Sequence, residues 1–414
     1  MFEDFISLFQ TDFYLRIWNL IYATWPIWLP LLIFGLLLNT WFSYTRRYWI
    51  RAQGSVLLEI KLPRDIERTP AAMEMVFHGI FEPSVGNLAD SLLKGRVRDW
   101  FSLEIVSIGG EVRFFIWAFP KWKNIIESRI YSLYPGVEIF EVDDYALDVV
   151  YEPEKMNIWG ITTKLNKPDA YPIKTYIDYE LDKGNKEQEE IIDPLAPLLE
   201  YLGSLKHGEQ AWVQILIQAH RKEGLQDGRI FFQKPDWKDG IKSEIKKFIE
   251  KEPFIKPELG KSASLLNLSK AQDNTITAIE RNASKLPYDT MIRVVYTAPI
   301  DIFDKIKGLG LIGSLRQFSS QYLNGIRPNW FSGIDNPWED FRDIRKKRNQ
   351  RTLLDAYKRR SFFNVPYKNL NGTPFVLSTE ELATIFHFPG ATVTTPNLTR
   401  IPSKKGEAPS NLSV

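Results

Sequence analysis

No residue between Ile17 and Thr45 carries a charge. The densest part of that run, Trp25 to Tyr44, is long enough at about 1.5 Å per residue to cross a hydrocarbon core of about 30 Å. Its ten large apolar side chains, from Ile27 to Phe42, contribute roughly −3 to −6 kcal/mol to insertion, enough to absorb Pro30 and Asn39. A spanning helix is therefore predicted from Pro26 to about Tyr44, with Pro26 and Pro30 marking its first turn. Trp25 and Trp28 stand at one end and Trp41, Tyr44, Tyr48 and Trp49 at the other, as two aromatic belts. Arg46, Arg47 and Arg51 follow at once, whereas the first residues carry Glu3, Asp4 and Asp12 against Arg16, so the N-terminus is expected outside and the body in the cytoplasm. A cleaved signal peptide fits less well, because no basic leader precedes the run and no small-residue cleavage site follows it. A buried core helix is the remaining alternative; tryptophans clustered at both ends of an uncharged run argue against it.

With 44% hydrophobic and 25% charged residues over 414 positions, the chain has the balance of a globular protein with two or three cores. Its net charge of +2 does not by itself nominate nucleic acid. The absence of cysteine excludes disulfides, thiolate metal sites and cysteine nucleophiles.

Beyond the anchor and its flank (1–51), residues 52–150 read as a ferredoxin-like βαββαβ domain. The strands are Ser55–Lys61, Phe101–Ile108, Val112–Phe119 and Val137–Val142, and the helices Thr69–Phe81 and Trp122–Tyr134. Gly109-Gly110 signals a hairpin and Pro135-Gly136 a helix stop. Residues 151–193 read as bridging strands, Met156–Leu165 and Ile173–Tyr179, followed by a polar loop. Residues 194–335 read as a second αβ domain, an embellished copy of the first, with strands Ala211–Ala219 and Met291–Thr297. A basic helical segment (336–377) and a short helix with an extended tail (378–414) complete the chain, the helix opened by the capping box Ser378 to Glu381. The fold class is thus α+β: an N-terminal transmembrane helix, two ferredoxin-like modules and a C-terminal tail.

Chemistry is harder to find. Gly260-Lys261-Ser262 lacks the leading glycine of a phosphate loop, and Pro253 and Pro257 crowd its approach. His78, His207, His220 and His387 are scattered without metal-ligand spacing, and Asp143-Asp144 after a strand is a weak cation candidate. No catalytic residue, cofactor or metal is expected. The segment from Arg342 to Arg360 holds nine basic residues, Arg342, Arg345, Lys346, Lys347, Arg348, Arg351, Lys358, Arg359 and Arg360, against Asp343 and Asp355. Three readings stay open for it: a solvated helix face, contact with anionic lipid, and contact with nucleic acid.

Three passages carry a resemblance: Ser128–Tyr145 (SRIYSLYPGVEIFEVDDY), Asp193–Trp212 (DPLAPLLEYLGSLKHGEQAW) and Ser378–Leu412. In these the body resembles the non-ATPase N-terminal region of membrane-anchored conjugation and type IV secretion proteins from small-genome bacteria, where it precedes a motor of the HerA/FtsK class. The resemblance implies a scaffold in the bacterial inner membrane, with DNA and further copies of the chain as candidate partners. In such relatives the last stretch leads into the ATPase, whereas this chain stops at Val414. The motor is then expected on a separate polypeptide, unless its half has been lost or the chain is a fragment.

Overall fold

A single helix, α1 (Phe2–Gln53), opens the structure, a computed structural model that describes residues 2–63, 66, 68–182, 192–222, 237–251, 270–334, 338, 340–390 and 400–401. Pro26 and Pro30, expected at a first turn, lie inside it. Each removes one backbone N–H, and the Trp28 indole N–H donates to the Ile21 carbonyl at 3.3 Å nearby. Thr24, Thr40 and Thr45 turn their hydroxyls back to the carbonyls of Leu20, Leu36 and Trp41 at 2.7, 2.8 and 3.1 Å. These hydroxyls are thus satisfied within the helix itself. Phe13–Gln53 is long and apolar enough to cross a membrane, and none of its most apolar window is buried in the protein.

Residues 86–96 form one compact unit with 1–52. A short helix, α3 (Leu88–Leu92), starts there from a capping box between Asn87 and Asp90. Gly95, at φ +70°, brings the chain so close to α1 that a Cβ would lie 2.3 Å from the Thr45 carbonyl carbon, so only glycine fits.

The second unit is built on one large sheet. Its first half contains β1 (Val56–Pro63), α2 (Ala71–Gly79), β2 (Phe101–Ile108), β3 (Glu111–Ala118), α4 (Lys123–Leu133) and β4 (Glu138–Val142). Gly109 and Gly110, both at positive φ, make the tight turn that joins β2 to β3. The second half contains β5 (Met156–Leu165), α5 (Ala196–Gly203), β6 (Gln210–Ala219), β7 (Pro287–Pro299), α8 (Lys305–Ser314) and β8 (Ile326–Phe331). Strand order is β4-β1-β3-β2 in the first half and β6-β7-β5-β8 in the second, with every pair antiparallel. The halves join edge to edge through β2 and β6, paired antiparallel from Phe101↔Ile217 to Ile108↔Gln210. In each half the first strand is flanked by the third and fourth, and helices link first to second and third to fourth. The second strand of each is the seam.

Between β6 and β7 the chain makes an excursion containing α6 (Trp237–Lys251) and α7 (Lys270–Ala283). A satellite core of Trp237, Ile241 and Ile279 packs there with Ala170, Tyr171 and Val376. On one face of the sheet lie the crossover helices: Ser107 Oγ donates to Leu202 of α5, and Tyr288 OH to Phe77 of α2. On the other lies α9 (Ile344–Lys358), whose Leu353 fills the space over Gly160 of β5.

Four differences separate the structure from the sequence reading. Met156–Leu165, read as a bridge, is β5, flanked by β7 and β8 and central to the second half. β8 (IRPNWF) escapes the reading because Pro328 argues against a strand; it is an edge strand, and Pro328 faces Thr163 at a register shift where no ladder hydrogen bond is needed. Ile173–Tyr179 is not a strand: the N–H groups of Ile173 and Tyr176 donate at 2.9 Å to the side chains of Glu381 and Thr384. Those acceptors sit on α10 (Thr379–Ile385), which follows β9 (Phe375–Ser378). Successive stretches of β7 pair with β9 and then β5. All residues of α10 are buried, so the helix assigned to the tail belongs to the core. A last short strand, β10 (Arg400–Ile401), pairs parallel with β1.

Candidate functional site

The nine basic residues of 342–360 do not share one surface. In α9, Gln350, Leu353, Leu354, Ala356 and Tyr357 face the sheet, an apolar stripe with helical spacing. Opposite it, Arg345, Lys347, Arg348 and Arg351 are exposed, with Arg342 just before the helix and Lys346 half-buried. The N-terminus of α9 is set by Asp340, whose buried carboxylate accepts from the N–H groups of Arg345 and Lys346 at 2.8 and 2.7 Å. Burial pushes the Asp340 carboxyl up, but those two donors and the neighbouring cations hold it below the ordinary range. To reach this cap the chain passes through two consecutive left-handed residues, Arg342 (φ 57°) and Asp343 (φ 56°). The turn leaves Trp338, Phe341 and Ile344 exposed at 82%, 73% and 61%.

At the far end of the segment Lys358 and Arg360 are engaged inward, whereas Arg359 stays exposed. Lys358 Nζ donates to the Val149 carbonyl at 2.6 Å, and Arg359 pairs with Asp355 at 2.8 Å. Arg360 is fully buried. Its guanidinium grips Glu104 of β2 in bidentate fashion at 3.0 and 3.1 Å and also pairs with Asp144, at 2.9 Å from Nη2 to Oδ1. A surface contact by Arg360 is excluded, and Asp144, the weak cation candidate, is a partner of that guanidinium.

Glu104 also accepts from Ser102 Oγ at 2.6 Å, Tyr145 OH at 2.8 Å and Gln214 Nε2 at 3.0 Å. Tyr145 and Tyr357 share a hydrogen bond of 2.6 Å, and Trp100 Nε1 donates to the Arg360 carbonyl at 2.9 Å. Cross-strand register places Glu104, Gln214 and Arg293 in one row over the seam, with Arg293 donating to the Ser361 carbonyl at 3.0 Å. Burial alone would raise the Glu104 pKa, but Arg360 and these donors bring it below the usual carboxylate range. Burial also keeps both tyrosines protonated well beyond their ordinary range. Buried Glu104 and partly exposed Asp144 thus face the buried guanidiniums of Arg360 and Arg293, and the network binds the end of α9 to both halves of the sheet. A lone glutamate on the alternate face of FSLEIVSI is the only sequence signal for it.

Two of the four histidines form buried pairs with aspartates. His220 Nδ1 lies 2.8 Å from Asp289, which also pairs with Arg98 at 3.0 Å; among the described residues no hydroxyl hydrogen-bonds His220 Nε2. His387 contacts Asp193 through Nε2 at 3.2 Å and the Ala383 carbonyl through Nδ1 at 2.9 Å, so both nitrogens are engaged. Each pair has the orienting half of a nucleophilic triad, and among the described residues no nucleophile joins it. A third cluster joins Glu74 and Glu380 to Lys285 and Arg281. No group of three or more metal-ligating side chains set to hold an ion occurs among the described residues. Gly260-Lys261-Ser262 lies outside them.

In the α1 unit, Trp25, Trp28 and Trp41 are exposed, as is Arg47, while Arg46 is half-buried. No protein-family model and no curated protein matches the chain.

Proposed function

We propose that the protein is a non-enzymatic, membrane-tethered scaffold of a type IV secretion or conjugation-like translocation complex, which docks a separate motor ATPase of the HerA/FtsK class. In this reading α1 spans a bacterial inner membrane, with Arg46 and Arg47 on the cytoplasmic side and the sheet-built unit in the cytoplasm. The observation that carries it is the combination of α1, whose most apolar window is not buried in the protein, with a body in which Arg360 and Glu104 neutralise one another inside the core. Such networks hold elements together rather than presenting their charges to a substrate.

The order β4-β1-β3-β2, with helices linking first to second and third to fourth strands, supports reading each half as a ferredoxin-like module. The passages resembling conjugation proteins fall on α4 and β4, on α5 and the start of β6, and on α10. Homo-oligomers fit the ring assemblies of such motors. A nucleic-acid-binding role is the second reading, favoured by the exposed Arg345, Arg348 and Arg351 on one side of α9.

The test is a mild-detergent pull-down of the full chain against one ending at Ile401. Truncation before Ser378 would remove core, because α10 is buried. A phosphate-loop ATPase that co-purifies with the full chain alone supports motor docking through residues after 401. An ATPase with neither chain overturns the docking role.

A further inference from the structure

Outside α1, the patch in which apolar and basic side chains are most closely interleaved lies before and along α9. Trp338, Phe341 and Ile344 recur every third residue and are all more than half exposed. Arg342, Arg345, Lys347, Arg348 and Arg351 are exposed in the same stretch of chain, Arg342 with its guanidinium 5.1 Å from the Phe341 ring centroid. The exposure accompanies a fixed turn: Asp340 is turned inward to cap α9, and the chain reaches that cap through the left-handed pair at 342 and 343. Aqueous surroundings alone do not explain three large apolar groups held out of the core.

We propose that this patch is a second membrane contact: Trp338, Phe341 and Ile344 enter the headgroup boundary of a bilayer while these cations bind anionic lipid. The inference rests on the membrane-tethered reading, since a chain already anchored meets the bilayer at high effective concentration. Charge complementarity selects anionic lipid. Among the described residues the acidic groups beside the patch are Asp340, turned inward to cap α9, Asp343, on the same turn, and Glu154, 3.9 Å from Lys347 and 89% exposed; a pair as open to water as the last weakens the attraction little. Duplex DNA would use the cations but not the apolar trio. Single-stranded nucleic acid stacks on aromatic faces, yet Ile344 has none and the Arg342 guanidinium already lies 5.1 Å over the Phe341 ring. A bilayer interface uses both kinds of side chain.

The chain contains no cysteine, so one engineered thiol can carry an environment-sensitive fluorophore. Full-length F341C, labelled with NBD and reconstituted into liposomes, is compared in phosphatidylcholine alone and with added phosphatidylglycerol. The labelled N124C variant, on α4 at the opposite sheet face, is the control. A blue shift at position 341 only with anionic lipid, reversed by 1 M salt and absent at position 124, supports the proposal; R348Q/R351Q should lower the binding equilibrium constant about 30-fold. Identical emission in both liposomes overturns it, as does a shift that appears only on adding DNA oligonucleotides. Failure of the chain to float with liposomes after an alkaline wash overturns the anchor reading instead.

Discussion

Replacing Arg360 by Gln separates a surface role from a core role by its effect on stability. The substitution leaves Glu104 without the bidentate guanidinium in a site closed to water, and Asp144 loses the same partner. Breaking a buried pair from one side costs about 3–5 kcal/mol, because an uncompensated charge stays behind or must take up a proton. Ser102, Tyr145 and Gln214 still donate to Glu104, which favours the lower part of that range. At about 2 °C per kcal/mol for a large domain, the melting temperature should fall by about 6–10 °C. The assay is a thermal melt of the full chain in mild detergent, followed by near-ultraviolet circular dichroism, to which the buried Trp100 and Trp212 contribute. Arg348→Gln, on the exposed face, should stay within about 0.5 kcal/mol of the parent. The double variant E104Q/R360M, which removes both charges, should recover much of the loss, since replacing a whole buried pair is often nearly neutral. If Arg360→Gln melted with the parent and lost lipid or DNA affinity instead, the network would not hold α9 as described.

Two further outcomes follow from the packing and the titrating groups. Gly160→Ala would put a Cβ 2.4 Å from Leu353 Cδ2 and 2.9 Å from the Val294 carbonyl, so α9 should lift, at about 1–3 kcal/mol; faster hydrogen exchange of α9 amides than in the parent checks this. Burial pushes the Glu381 carboxyl up to about 8 despite its hydrogen bonds from Ser378 and Ile173. Between about pH 4.5 and 8 the folded chain therefore keeps a proton that the unfolded chain releases, and stability falls as pH rises, by up to about 1.4 kcal/mol per unit. Glu381→Gln should remove that part of the slope in melts from pH 5 to 8, and equal slopes would refute it.

Local patterning made much of the architecture legible. The uncharged run gave the apolar stretch of α1 though not its start at Phe2, alternation gave β1 to β4, β6 and β7, and the glycine pair gave the β2–β3 turn, because each signal depends on neighbours in the chain. Ser378 and Glu381 announced α10 by a capping box, though not its burial, which comes from α2 and residues 173–176 packing on it from far away in sequence. β8 was hidden by Pro328, tolerable only at a sheet edge.

The candidate site divides along the same line. By itself the sequence determined that the chain carries a membrane-length apolar helix, two αβ halves and a basic segment after them. Only the tertiary structure decided that β2 and β6 join the halves and that Arg360 is a core cation while Arg342, Arg345, Lys347, Arg348 and Arg351 face solvent. The physical reason is range: a charge run looks uniform along the chain, but burial depends on whether a carboxylate such as Glu104, 256 residues away, is placed to meet it.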